Sequence, residues 1–193
     1  MKKINIVLFG TGNVGSKLVN QVLEARDNFK KNENLEINLP VIANSSTAFF
    51  QKETQQPSWE ADLENFGFPY KPQDILDYVK EQQYENLVAV DATASEDFVD
   101  HYLDLVNAGF HIVAANKVAN TLSSEYYAKL RKTLQEKNRF FLYETNVGAG
   151  LPIVETLRNF YRSNEKVTRV RGVFSGSLSY IFNTFCEADK SFS

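Results

Sequence analysis

Short apolar runs alternate with amphipathic segments along most of the chain. Residues 4–9 form the first apolar run, which is typical of a buried strand, and apolar positions at helical spacing follow it. Four further apolar runs repeat this alternation, at residues 35–43, 86–91, 110–115 and 139–144. Strands that alternate with helices predict an α/β fold with a doubly wound parallel sheet, here a Rossmann-type domain over residues 1–150.

One segment departs from this alternation. Residues 49–72 are polar and contain several Pro and Gly residues, so the sequence predicts an irregular insertion with one short helix near Glu60. We expect Trp59 and Phe66 to pack this helix over the edge of the sheet. No chemistry is indicated in this segment.

Three glycines follow the first strand, in the stretch Gly10-Thr11-Gly12-Asn13-Val14-Gly15. Gly10 permits a tight turn, Gly12 lets a pyrophosphate approach the backbone, and Gly15 lets the helix pack closely against the strand. The N–H groups of the first helical turn and the helix dipole would then face the phosphates. Because the motif stands between a strand and a helix, it predicts dinucleotide binding rather than a plain tight turn.

Composition and charge exclude several other classes of function. The 193 residues include 23% charged residues and have a formal net charge of -3, so the chain lacks the basic surface typical of nucleic-acid-binding proteins. No apolar run approaches the length of a membrane span. Cys186 is the single cysteine, which excludes an internal disulfide and a cysteine-rich zinc site and agrees with a cytoplasmic location.

The residues after the second strand bear on the choice between NAD and NADP. An Asp or Glu at this position binds the adenosine ribose and favours NAD. This chain has Asn44, Ser45 and Ser46 instead, whose uncharged groups leave room for the 2′-phosphate of NADP, although no Arg stands beside them. The sequence therefore favours NADP, and the alternative is that these residues form only a polar turn.

Polar residues also follow two later strands, at the end where open α/β sheets bind their ligands. Thr93 follows the strand at 86–91 and is a candidate contact to the cofactor, whereas Ser95 is explained equally well as a helix N-cap. Lys117 follows the strand at 110–115, where its ammonium group would meet an anionic group of the cofactor or substrate. The alternative for Lys117 is a solvated lysine at the end of a strand.

The stretch from Tyr143 to Pro152 combines one carboxylate, on Glu144, with a loop bracketed by glycines. Such a loop can aim several carbonyl oxygens inward, and oxygen ligands alone suit a hard cation. The residues by themselves favour a structural turn over a metal site, with Pro152 opening the following helix.

Three motifs of the chain resemble segments of the homoserine dehydrogenase family. They are ETNVGAGLP at residues 144–152, GVFSGSLSYIFN at residues 172–183 and NKVANT at residues 116–121. The likeness extends from Phe9 to the last residues, and the chain most resembles the dehydrogenase part of bifunctional aspartokinase–homoserine dehydrogenases. Three specific motifs in the same order argue against a chance resemblance.

This resemblance implies an oxidoreductase that interconverts L-homoserine and L-aspartate 4-semialdehyde in threonine and methionine biosynthesis, with NADP or NAD as cofactor. It implies that residues 10–15 hold the pyrophosphate and that Thr93 and Lys117 line the nicotinamide end. It also implies that Ser177 faces the small-molecule substrate and that a monovalent, sodium-like cation has four ligands. These are Glu144 and the carbonyl groups of Val147, Ala149 and Leu151. A homo-oligomer is expected for the full-length enzyme.

In the family, an acidic stretch and a proton-relay lysine lie further along the substrate domain, so we expect both beyond Ser193 and name no catalytic residue here. Residues 151–161 and 167–174 accordingly resemble the hinge helix and first strand of a truncated substrate and dimerisation domain over residues 151–193. We expect such a fragment to be inactive alone. Lys117 as the acid/base, and Cys186 as the nucleophile of an acylating semialdehyde dehydrogenase, are alternatives. The strand-end position of the lysine and the apolar, helical setting of the cysteine argue against them.

A non-catalytic dinucleotide-binding module, such as a redox-sensing domain, is the alternative of a different class. A pure nucleotide sensor has no need of the motifs at residues 144–152 and 175–183. These motifs therefore favour the dehydrogenase, without a nucleic-acid or membrane partner.

Overall fold

The structure of the protein is a computed structural model that describes residues 1–51, 58–173 and 175–187, with Cys186 and Glu187 described by their backbone only. The chain divides into two compact units, Met1–Tyr143 and Glu144–Ser193. Three predictions lie outside what is described: the part of the insertion at residues 52–57, the strand end at Phe174 and the core position of Cys186.

The first unit alternates strands and helices. Its described strands are β1 (Lys2–Phe9), β2 (Leu35–Ala43), β3 (Thr47–Phe50), β4 (Phe68–Pro69), β5 (Leu87–Asp91), β6 (His111–Ala114) and β7 (Phe141–Leu142). Its described α-helices are α1 (Asn13–Asn32), α2 (Trp59–Phe66), α3 (Pro72–Glu81), α4 (Tyr102–Asn107) and α5 (Ser124–Glu136). Short 3-10 helices lie at Asp97–His101 and Val118–Asn120. Within the described residues of both units, no helix is long and apolar enough to span a membrane.

The strands of the described residues form one sheet in the order β4-β3-β2-β1-β5-β6-β7. β1 pairs in parallel with β2 and β5, and β6 pairs in parallel with β5 and β7. Parallel pairs need crossover connections, and helices supply them here, which confirms the predicted doubly wound α/β fold. The strand order reverses between β1 and β5, the switch point at which open α/β sheets bind their ligands.

Neighbouring residues of β1 pack on opposite faces of the sheet. Val7 and Phe9 belong to a buried cluster completed by residues of α3, α4 and α5. Leu8 belongs to a second cluster, to which α1 contributes Val19 and Val22. Both faces of the central strands are therefore covered, which explains why they appear in the sequence as unbroken apolar runs.

The described part of residues 49–72 is more regular than predicted. Antiparallel strands β3 and β4 extend the sheet beyond β2, and α2 follows β3. Trp59 is buried as predicted, and its Nε1 donates a hydrogen bond to Oδ1 of Asn20 at 2.9 Å. The predicted packing of Phe66 is wrong, because Trp59 and Leu63, one helical turn apart, form the buried face of α2 and leave Phe66 67% exposed.

The described part of the second unit contains a 3-10 turn at Glu144–Asn146 and two helices, α6 (Ile153–Arg162) and α7 (Gly176–Glu187). At the start of α7, Oγ of Ser175 accepts a hydrogen bond from the N–H of Leu178 at 3.2 Å. Residues 167–173 form no strand, so the prediction is wrong for them. A strand needs a neighbour for its backbone hydrogen bonds, and the described residues of this unit offer none.

Candidate dinucleotide-binding site

Two positions between β1 and α1 require glycine. Gly10 has a φ of +96°, and a Cβ atom on it would lie 2.8 Å from the carbonyl oxygen of Ala92. A Cβ atom on Gly15 would lie 1.8 Å from the carbonyl oxygen of Gly10. The backbone N–H of Gly10 donates a hydrogen bond to the carbonyl oxygen of Ala43 at 2.8 Å. Together these contacts hold the start of α1 against the ends of β1, β2 and β5.

The space around Gly12 is open, in contrast to that around Gly10 and Gly15, because a Cβ atom on Gly12 would meet nothing within 4 Å. It is the N-cap residue of α1, at which no described side chain accepts a hydrogen bond, and the first turn carries no acidic residue. The first-turn N–H groups of Asn13, Val14 and Gly15 therefore have no side-chain cap or carboxylate that would compete with a bound anion. An open helix start of this kind fits a pyrophosphate.

A cleft of about 810 Å³ lies beside this glycine loop. Its walls come from the ends of β1, β2 and β5, from the segment before α3 and from the 3-10 helix before α4. The cleft brings together five of the residues that the sequence predicts to bind the cofactor, namely Gly10, Thr11, Gly12, Ser45 and Thr93. Its volume is in the range of small-molecule sites, which is roughly 300–1,000 Å³.

The turn after β2 leaves Ser45 exposed at the cleft. Oδ1 of Asn44 accepts hydrogen bonds from the backbone N–H groups of Ser46 and Thr47, each at 2.8 Å, so the Asn44 side chain organises the turn. The hydroxyl of Tyr70 donates to the carbonyl oxygen of Asn44 at 3.0 Å and ties this turn to the segment before α3. Asn44 thus fits the polar-turn interpretation, and the ribose contact of Ser45 stays a prediction.

A buried carboxylate anchors the loop after β5. Asp91 is 1% exposed and accepts hydrogen bonds from the Tyr102 hydroxyl at 2.7 Å and from the backbone N–H of Thr93 at 2.8 Å. These donors bind different carboxylate oxygens, which compensates for the burial of the carboxylate. Burial, and secondly the charge of Asp91, raise the pKa of Tyr102 above its ordinary value, so the phenol remains a donor at neutral pH.

Asn116, which is 3% exposed, joins the loop after β5 to the loop after β6. Its Nδ2 donates hydrogen bonds to the carbonyl oxygen of Ser95 at 2.8 Å and to Oγ1 of Thr93 at 3.4 Å. Its Oδ1 accepts a hydrogen bond from the N–H of Val118 at 3.0 Å. Asn116 was not among the site residues predicted from the sequence, where its signals are a polar side chain directly after an apolar strand and its place at the start of the motif at residues 116–121.

Two further candidate residues, Lys117 and Ser95, lie in the same pair of loops. Lys117 follows Asn116 directly and is exposed, and its contact with the nicotinamide end stays a prediction. Oγ of Ser95 accepts a hydrogen bond from the N–H of Phe98 at 3.2 Å, at the start of the 3-10 helix. This contact supports the interpretation of Ser95 as a cap.

The predicted cation ligands belong to the second unit, where two of the four ligand groups accept hydrogen bonds. The carboxylate oxygens of Glu144 accept hydrogen bonds from the N–H groups of Val154 and Glu155, each at 2.9 Å, at the start of α6. The carbonyl oxygen of Leu151 accepts one from the N–H of Ile153 at 2.9 Å. Glu144 therefore acts as a helix cap, and the predicted cation has no support in these contacts.

The other predicted residues of the second unit lie at its surface or near it. Val147 and Ala149 stand in the loop before α6, and Ala149 has a φ of +53°. Ser177 is exposed in the first turn of α7, and its contact with the substrate stays a prediction. Within the described residues, no group of three or more His, Cys, Asp or Glu side chains is placed to hold a metal ion.

The fold, the glycine loop and the cleft beside it define a dinucleotide-binding domain of the Rossmann type. The sequence matches the family "Homoserine dehydrogenase, NAD binding domain" over residues 10–144 and the family "Homoserine dehydrogenase" over residues 152–193. The chain therefore belongs to the homoserine dehydrogenase family, which confirms the resemblance found in its motifs.

Individual relatives agree with this family. A bifunctional aspartokinase/homoserine dehydrogenase of Buchnera aphidicola is 38% identical over 182 residues, which cover 94% of this chain and 22% of that protein. A crystal structure of a Candida auris protein of unknown function has a TM-score of 0.80 and 28% identity, with 100% of this chain and 53% of that chain covered. A hyperthermophilic archaeal homoserine dehydrogenase in complex with NADPH has a TM-score of 0.64 and 25% identity, with 80% and 48% covered. This chain thus spans about a fifth of the curated relative and about half of each solved chain.

Proposed function

We propose that this chain supplies the dinucleotide-binding part of an NAD(P)-dependent oxidoreductase that interconverts L-homoserine and L-aspartate 4-semialdehyde. Membership of the homoserine dehydrogenase family supports the reaction, and the NADPH complex of the archaeal relative supports the cofactor. The observation that carries the proposal is the glycine loop. Gly15 is packed against Gly10, whereas the space at Gly12 is open beside a cleft of about 810 Å³.

In this proposal, different parts of the cleft bind different parts of the dinucleotide. The N–H groups at the start of α1 bind the pyrophosphate, and the helix dipole favours its negative charge. Ser45 faces the adenosine ribose, and Thr93 and Lys117 orient the nicotinamide. The nicotinamide, when bound, supplies the hydride chemistry. The family resemblance also implies a monovalent cation held by Glu144 and the carbonyl groups of Val147, Ala149 and Leu151, which is a finer part of the proposal, and no step is assigned to it.

The substrate contacts and the proton relay are the finer part of the proposal. Ser177 faces the small-molecule substrate, and the relay lysine is one that the family resemblance places outside these 193 residues. The purified 193-residue chain should therefore not reduce NADP at a high homoserine concentration, whereas a longer family member serves as the positive control. Turnover by the short chain would assign the proton transfer to a residue such as Lys117. Threonine and methionine biosynthesis and a homo-oligomeric full-length enzyme belong to the same proposal.

Calorimetric titration with NADH and NADPH tests the glycine loop. Gly12→Val places a branched side chain in the space proposed for the pyrophosphate. The loss of two charge-assisted hydrogen bonds, at about 1.5 kcal/mol each, would weaken binding by about 100-fold. Gly150→Val is the matched control, because a Cβ atom on Gly150 also meets nothing within 4 Å but lies in the second unit. Equal affinities of wild type and Gly12→Val would contradict the proposal.

A further inference from the structure

The hydroxyl group of Thr93 has its hydrogen-bonding direction set by its neighbours. Thr93 lines the cofactor cleft, and its Oγ1 accepts hydrogen bonds from the backbone N–H of Ser95 at 3.2 Å and from Nδ2 of Asn116 at 3.4 Å. A threonine hydroxyl offers two acceptor lone pairs and one hydrogen. The two contacts use its acceptor capacity, and the hydrogen is left for an acceptor in the cleft.

Asn116 cannot reverse this pattern by rotating its amide. Its Oδ1 accepts from the N–H of Val118, a group that can only donate, and its Nδ2 donates to the carbonyl oxygen of Ser95, which can only accept. A flipped amide would set oxygen against oxygen at Ser95 and N–H against N–H at Val118. Because the side chain is buried, water cannot take over either contact.

The main chain around Thr93 is held by bonds that do not involve the side chain of Asn116. Oδ1 of Asp91 accepts a hydrogen bond from the N–H of Thr93 at 2.8 Å, and the carbonyl oxygen of Asp91 accepts one from the N–H of Ala115 at 2.8 Å. These bonds fix where the two loops stand relative to each other. The side-chain amide of Asn116, together with the N–H of Ser95, then sets the direction of the Thr93 hydroxyl.

We propose that Asn116 is a positioning residue that fixes the Thr93 hydroxyl as a hydrogen-bond donor to the carboxamide oxygen of the bound nicotinamide. This role rests on the proposed function and adds the identity and direction of one of its contacts. The carboxamide of nicotinamide offers a carbonyl oxygen as acceptor, and ADP-ribose lacks the whole nicotinamide group. Thr93 contacts the cofactor, and Asn116 acts through Thr93.

Titrations with NADH and ADP-ribose test this role in variants of both residues. Thr93→Val removes the hydroxyl with little change of shape, and Thr93→Ser retains it. Asn116→Asp keeps an acceptor for the N–H of Val118 but sets an oxygen towards both Thr93 and the carbonyl oxygen of Ser95, so the hydroxyl turns back from the cleft. We expect Thr93→Val and Asn116→Asp each to weaken NADH binding about three- to tenfold, the range for one lost hydrogen bond. Thr93→Ser should bind NADH as wild type does.

A comparison of the NADH and ADP-ribose affinities of each variant distinguishes a positioning role of Asn116 from a merely structural one. ADP-ribose affinity should stay at the wild-type value in both Thr93 variants, and the double variant should lose no more NADH affinity than Asn116→Asp does alone. Asn107→Asp, the same substitution at an exposed residue of α4, is the control and should change neither affinity. The reduced 3-acetylpyridine analogue keeps the carbonyl oxygen but lacks the amide N–H groups. The Thr93→Val loss should therefore persist with it.

Equal losses of NADH and ADP-ribose affinity in Thr93→Val would assign the hydroxyl a structural role and overturn the inference. An unchanged NADH affinity in Thr93→Val would overturn it as well. The two Thr93 variants leave Asn116 intact, so they decide the donor role even when Asn116→Asp does not fold. Wild-type protein that binds neither ligand would instead overturn the proposed function itself.

Discussion

Gly15 packs so closely against Gly10 that a Cβ atom on Gly15 would lie 1.8 Å from the Gly10 carbonyl oxygen. This contact sets the start of α1 against the end of β1 and so fixes the direction of the first-turn N–H groups. The candidate pyrophosphate site therefore depends on a packing contact inside the loop as well as on the groups that face the ligand.

Gly15→Ala should lower stability and cofactor affinity together. The added methyl group forces the helix start away from Gly10, at a cost of about 1–3 kcal/mol for overpacking. Urea denaturation measures the free energy of unfolding, and titration with NADH measures the affinity. Gly150→Ala is the control and should change neither quantity. A Gly15→Ala variant with wild-type stability and affinity would show that the loop relaxes freely.

Ser45→Asp should shift cofactor preference from NADPH towards NADH. The carboxylate would repel the 2′-phosphate, and we expect the ratio of the two dissociation constants to change by about fivefold, more at low salt. Ser46→Asp is the matched control, because Ser46 is the next residue of the same turn but does not line the cleft. An unchanged ratio in Ser45→Asp would show that Ser45 does not face the ribose.

His111 should make the stability of the protein depend on pH. Its Nδ1 accepts a hydrogen bond from the N–H of Phe140 at 3.0 Å. Burial, and then the charges of Arg139 and Lys2, lower the pKa of His111 below its ordinary value of 6.5. A lowered pKa in the folded state means that the unfolded chain binds the proton more readily. The contribution of His111 to stability is therefore present above pH 6.5 and lost as the pH falls below it.

The free energy of unfolding measured at about pH 7.5 and about pH 5.5 tests this dependence. It should fall more steeply with acid in the wild type than in His111→Gln, which cannot titrate. Asn107→Gln, at an exposed position of α4 that cannot titrate, is the control and should keep the wild-type slope. Equal slopes in the wild type and His111→Gln would exclude His111 as the cause of the loss of stability at acid pH.

The sequence predicts best those features that depend on neighbouring residues. The glycine loop is one, because three glycines between a strand and a helix determine the local backbone by themselves. β3 and β4 were not predicted, since four and two residues are too few to show a period of two. Residues 167–173 have the composition of a strand, but composition does not supply the neighbouring strand that pairing requires.

Contacts between distant residues could not be predicted in this way. Asn116 is bonded to Thr93 and Ser95, which lie 23 and 21 residues earlier in the chain, and only the parallel packing of β5 and β6 brings them together. Glu144 shows a related difficulty, because the residues of its loop favour a structural turn over a cation site but do not identify the partners of the carboxylate. The hydrogen bonds to α6 identify the cap.

The backbone amide signals of the chain in an NMR titration with NADH give the most direct test of dinucleotide binding at the glycine loop. We predict that the amide signals of Asn13, Val14 and Gly15 shift most, because their N–H groups face the pyrophosphate, and that the signal of Thr93 shifts with them. The shifts should saturate at the dissociation constant found by calorimetry. Saturating shifts elsewhere in the chain, with the signals of residues 10–15 unmoved, would contradict the assignment of this loop as the cofactor site.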